Sequence, residues 1–108
     1  MRKVLMGDVI AAARVLRGVP RGRRPAVLRG LLQAARRAEG HRKATGRAHP
    51  ALGNGSLMAA AHRLKPDPEP FLDDIAYLEA LILVLTEVRR RRRVGRAPGS
   101  LRPATSAE

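Results

Sequence analysis

Few side chains in this chain are of a type that does chemistry, and those few are scattered. His41, His49 and His62 are the only histidines, and no neighbouring carboxylate falls at the spacing of a metal-ligand set. Ser56 follows Gly53-Asn54-Gly55, but the nucleophile elbow would need a Gly-x-Ser-x-Gly pattern on a strand-to-helix turn. The serine reads as a helix cap. Asp67, Glu69, Asp73 and Asp74 could be metal carboxylates or a general acid pair. With prolines among and beside them, they read instead as a solvated connector and as internal partners for basic helices. Gly53 and Gly55 could offer N–H groups to a phosphate, but no strand precedes them and no P-loop lysine follows. Without cysteine, thiolate catalysis, disulfides and Cys-based zinc sites drop out. The expectation is a non-enzymatic protein with no catalytic residue, metal or cofactor, and no small-molecule substrate.

Charge carries the remaining signal. The chain has 22 Lys and Arg against nine Asp and Glu, a formal net charge of +13. Nearly all the cations are guanidinium groups, which pair bidentately with carboxylate and phosphate. A GC-rich coding sequence would favour Arg and Ala together, but it would not by itself make acids scarce. Two groups of arginine stand out as candidate polyanion contacts. Arg14, Arg17, Arg21, Arg23, Arg24 and Arg29 surround one interhelical turn, with Arg36 and Arg37 further along the following helix. Arg89, Arg90, Arg91, Arg92 and Arg93 form an unbroken run. A helical run of five radiates to every side, so it would give electrostatic affinity without reading bases. The two helices about the turn invite comparison with a helix-turn-helix, yet the second offers almost no Asn, Ser or Thr to base edges. With Phe71 and Tyr77 the only aromatics, base-stacking modules are disfavoured.

The elements that must position these residues are helices. Asp8 suits the N-cap of a first helix from Val9 to about Gly18, where Val9, Ala12, Ala13 and Leu16 share a face. Pro25 opens a second, whose Val27, Leu28, Leu31, Leu32, Ala35 and Ala38 oppose Arg29, Gln33, Arg36 and Arg37. Gly40 or Gly46 ends it. A loop over 46–55 follows, in which Asn54-Gly55 suits positive φ. Ser56 then caps a short third helix to Leu64, and Pro66, Pro68 and Pro70 make an extended connector. A fourth helix starts between Pro70 and Asp74 and runs to roughly Arg91. Its apolar arc, from Ile75 to Val88, is wide enough for the central helix of a bundle or for a homodimer seam. The fold expected is all-α: a three- to four-helix domain over 1–93, with a disordered basic tail over 94–108.

No uncharged stretch near the N-terminus is long enough for a signal-peptide core, and the 75–88 segment falls short of the roughly 20 residues that span a bilayer. A cytoplasmic protein without a transmembrane segment is expected. A basic segment beside a leucine-rich helix leaves interfacial binding to anionic membrane as a third possibility.

His49-Pro50 and Gly53-Asn54-Gly55-Ser56-Leu57-Met58-Ala59-Ala60-Ala61, followed by Glu69-Pro70-Phe71-Leu72-Asp73-Asp74 and Tyr77-Leu78, resemble a family of short alphaproteobacterial proteins of unknown function. The likeness runs from the N-terminal stretch to about Arg93, with Asn54 standing where relatives would carry Asp. The resemblance implies a bacterial cytoplasmic setting. It also directs attention to Gly53, Asn54, Gly55 and Ser56, with Phe71, Asp73 and Asp74, as a partner-binding surface. The function expected is that of a small accessory or regulatory protein engaging an acidic protein or a polyanion, with non-specific nucleic-acid binding as the alternative. An exposed apolar strip on the fourth helix would favour a protein partner, and one continuous positive face would favour nucleic acid.

Overall fold

A computed structural model describes the backbone of residues 2–100 and the side chains through Val94. Four α-helices follow one another: α1 (Met6–Arg17), α2 (Arg24–Thr45), α3 (Leu57–His62) and α4 (Ile75–Ser100), with one 3₁₀ turn at Arg21–Arg23. No strand occurs among the described residues, only an isolated bridge between His49 and Gly53. Of the tail expected from residue 94, residues 101–108 lie outside the described residues, and the backbone up to Ser100 continues α4.

The first helix begins earlier than its apolar pattern implies, at Met6. Asp8 is therefore not the N-cap but the third helical residue. Its Oδ2 accepts the Leu5 N–H at 2.7 Å, which satisfies a donor that the first turn leaves without a partner. Its Oδ1 accepts the Met58 N–H at 2.8 Å, from the first turn of α3. One carboxylate, only 4 % exposed, thus joins two helix N-termini, both of which favour negative charge.

The expected end signals hold elsewhere. Gly46, at φ +75°, ends α2, and its N–H reaches the Arg42 carbonyl. Ser56 Oγ accepts the Ala59 N–H at 3.0 Å and caps α3. Asp74, just before α4, accepts the Tyr77 N–H at 2.9 Å.

Small side chains set the packing. Ala11, Ala12, Ala13, Val9, Val15 and Leu16 of α1 are buried, and this helix packs against all three others. Its alanines let the neighbouring backbones approach closely, and Leu16, Leu32, Leu57, Tyr77 and Val84 fill the centre. Burying each of the larger aliphatic chains contributes about 1.5–3 kcal/mol. The wide apolar arc of α4 therefore does not make it the central helix, because α1 holds that place. Tyr77, Ala80, Leu81 and Val84 face the core, whereas Ile75, Ile82 and Leu85 face outward.

Candidate functional site

Much of the arginine near the first interhelical turn is engaged within the fold. Arg17 donates from Nε and Nη2 to Asp74 Oδ2, at 3.1 and 2.6 Å, tying α1 to the start of α4. The Arg17 guanidinium, with the Tyr77 N–H, holds the Asp74 carboxyl below the usual carboxylate range. Arg14 Nε donates to the Asp67 carbonyl at 2.6 Å. Arg24 is buried and donates to the carbonyls of Val19 and Arg17, closing the C-terminal end of α1 where carbonyls lack helical partners. Arg21 pairs with Glu79 at 2.7 Å.

These contacts tie Arg14, Arg17, Arg21 and Arg24 to neighbouring segments of the fold, although the Arg21 side chain stays 70 % exposed. Arg17 and Arg21 meet carboxylates, of Asp74 and Glu79, whereas Arg14 and Arg24 meet backbone carbonyls. Arg90 and Arg91 both pair with Glu87, whose carboxyl Arg90 chiefly holds down at about 2. Arg23, Arg29, Arg36, Arg37, Arg89, Arg92 and Arg93 are exposed and make no ion pair among the described residues.

The Gly53 to Ser56 loop is likewise built into the fold. Gly55 is buried at φ +96°, and a Cβ there would lie 2.8–3.0 Å from Glu39 Oε1, Cβ and Cα. The loop thus rests directly on α2. Gly53 is at φ +92° and exchanges backbone hydrogen bonds with His49. Asn54 does not adopt positive φ; its Oδ1 accepts the Ser56 N–H. Glu39, pressed by this loop, pairs with Arg42 at 2.6 Å, and that contact keeps its carboxyl low. Phe71 and Asp73, by contrast, are exposed at the entrance to α4.

Two exposed features stand out besides the arginine side of α2. The first is an outer strip of α4. Phe71 is 86 % exposed, Ile75 62 % and Ile82 63 %, with Leu72 and Leu85 beside them. From Ile75 the spacing is that of one helical face, Ile75, Leu78, Ile82 and Leu85, and Arg89 continues it. The second is a cleft of about 460 Å³ in which Arg2, Lys3 and Arg92 surround Val4 and Val88. The N-terminal segment is held there by the Arg2 N–H, which donates to the Gly55 carbonyl at 3.0 Å.

Sequence reasoning missed Arg2 and Lys3 as site residues. They lie outside any periodic segment, and nothing in their spacing announces that the chain start folds back beside Val88 and Arg92 of α4. The exposed Arg29, Arg36 and Arg37 lie on α2 and do not line this cleft. No helix among the described residues is long and apolar enough to cross a membrane.

No curated protein and no solved structure matches the chain. One family does, over residues 2–88, described as Domain of unknown function (DUF7742). Because the match covers most of the chain, the protein belongs to the DUF7742 family.

Proposed function

We propose that this protein is a non-enzymatic accessory module that captures an acidic segment of a partner protein in the cleft between its N-terminal stretch and the second half of α4. The observation that carries this reading is the convergence of Arg2, Lys3 and Arg92 on an aliphatic floor of Val4 and Val88. Three cations around the cleft suit carboxylates. The apolar floor gains from an aliphatic side chain on the ligand, which a phosphodiester backbone does not supply. An acidic peptide with interspersed leucines fits both features.

A second reading, non-specific nucleic-acid binding, draws on a different observation. Arg29, Arg36 and Arg37, with Gln33, are exposed on one side of α2 and would contact phosphates without reading bases. The cytoplasm of an alphaproteobacterium is the setting we propose, on the cysteine-free composition and the likeness described above.

Fluorescence anisotropy tests the two readings together. A labelled Glu-Leu peptide and a labelled DNA duplex are titrated with the full chain across a salt series. The expected result is peptide binding that R92A and the pair R2A/K3A each weaken by roughly tenfold or more, as for charge-assisted contacts. R36A should leave it unchanged. Duplex binding that is tighter than peptide binding, and that depends on R36A rather than R92A, would replace the proposal with the nucleic-acid reading.

A further inference from the structure

The outer strip of α4 is a surface separate from the cleft, and its charges indicate what covers it. Phe71, Leu72, Ile75, Ile82 and Leu85 make an exposed apolar row, and such rows mark interaction sites. The row is polar at both ends, with opposite sign. Glu69 and Asp73, both exposed, lie at its N-terminal end, and Arg89 and Arg93, exposed and on the same helical face as Ile75 and Ile82, lie at its C-terminal end. A surface that is apolar in the middle, acidic at one end and basic at the other complements itself when two copies meet antiparallel. A two-fold axis makes each copy offer the same patch.

We infer that the chain forms an antiparallel homodimer through the outer face of α4, with Ile82 at the two-fold axis. At a rise of about 1.5 Å per residue, Ile75 and Arg89 each lie about 10.5 Å from Ile82, on opposite sides. Ile75 of one copy therefore faces Arg89 of the other, and Leu78 faces Leu85. Asp73 reaches the arginine run of the second copy, and Phe71 falls beside its Arg93, where a guanidinium can lie over the ring. A parallel pairing would set arginine run against arginine run. The antiparallel dimer also places the two Arg92 clefts about 30 Å apart along the shared helix direction, so that one dimer presents two such clefts.

Sedimentation velocity on the full chain, followed by cysteine cross-linking, tests this. The wild type is expected to sediment as a dimer of the 11.7 kDa chain at concentrations of about 100 μM, the regime of a small interface. I82E, which sets two carboxylates face to face in an apolar contact, should weaken association by about 100-fold or more. Ile82 is mostly exposed, so the helical circular dichroism of I82E should match wild type.

The native chain has no cysteine, so introduced thiols report without background. I82C should form a disulfide with itself. Tagged I75C mixed with untagged R89C should form the mixed disulfide, and I75C alone should stay reduced. A monomeric wild type, as expected if the strip instead serves the helix of another protein, would overturn the inference. So would a dimer indifferent to I82E, or self-cross-linking of I75C as efficient as the mixed pair.

Discussion

Replacing Gly55 by alanine tests whether the loop before α3 is a structural contact or a free binding loop. At φ +96° an L side chain is strained, at a cost of about 1–2 kcal/mol. A Cβ there would also meet the backbone and side chain of Glu39 at 2.8–3.0 Å. The Oε1 atom can swing away, but Cα and Cβ belong to α2 and move only with the helix. Overpacking of this kind costs about 1–3 kcal/mol. Allowing for the smaller conformational freedom of alanine in the unfolded chain, G55A should lose roughly 3 kcal/mol. For a domain near 100 residues that is a fall of roughly 12–24 °C in Tm.

Two other glycines separate the terms. Gly46 has φ +75° but open space around it, so G46A should lose only the backbone cost, about 1 kcal/mol. Gly40 lies inside α2, exposed and with nothing within contact distance. G40A should therefore gain up to about 1 kcal/mol from helix propensity. Thermal melts followed at 222 nm rank the three variants. If G55A melts within a few degrees of G46A, the loop does not bear on α2 and the 53–56 segment is open to a partner after all.

The remaining predictions use the same measurement. D8A removes the acceptor that serves the N-termini of α1 and α3 and should cost about 2–3 kcal/mol; a loss below 0.5 kcal/mol would mean that water replaces the carboxylate at no cost. Tyr77 is the largest fully buried side chain, and its hydroxyl donates only weakly to Glu69, at 3.5 Å. Y77F should therefore melt close to wild type while Y77A loses about 3–5 kcal/mol, and equal losses in the two would show that the hydroxyl matters. Asp74, Glu39 and Glu87 have folded-state carboxyls below their ordinary range, mainly through arginine contacts. Their stabilisation is present above about pH 4.5 and is lost as pH falls through their folded values, for Glu87 at about 2. Melts from pH 7 to pH 2 should fall mainly below pH 4.5, and E87Q should flatten the lowest part of that curve.

Local chemistry was legible in the sequence and distant pairing was not. The Ser56 cap, the Gly46 terminus and the acid-capped start of α4 each depend on residues within a few positions, so spacing alone reveals them. Asp8 looked like a cap for the same reason, but its second partner, Met58, is fifty positions away, and no local pattern encodes that. The apolar arc of α4 gave the width of its hydrophobic surface but not what covers each part. A central helix and an interface helix share that periodicity, and the choice fell to α1, whose alanine-rich face admits closer neighbours. Arg2 and Lys3 carried no positional signal, since their role comes from where the first segment docks.

The arginine content explains less about binding than the net charge of +13 suggests. Guanidinium groups are used here first as structural connectors: Arg24 closes α1, Arg14 and Arg17 fasten the connector and α4 to it, and Arg42 pairs with the acid beneath the Gly55 loop. In a core rich in alanine, side-chain burial is modest, and long guanidinium donors supply cross-links that larger apolar residues would otherwise provide by packing. Screening by salt weakens exposed pairs of this kind, so high salt should act on the fold as well as on any ligand. A salt-dependent loss of binding is therefore meaningful only beside a melt at the same ionic strength. The decisive comparison is R92A against R17A. A substitution in the cleft should change affinity and leave the melt alone, whereas one at the α1–α4 joint should change the melt first.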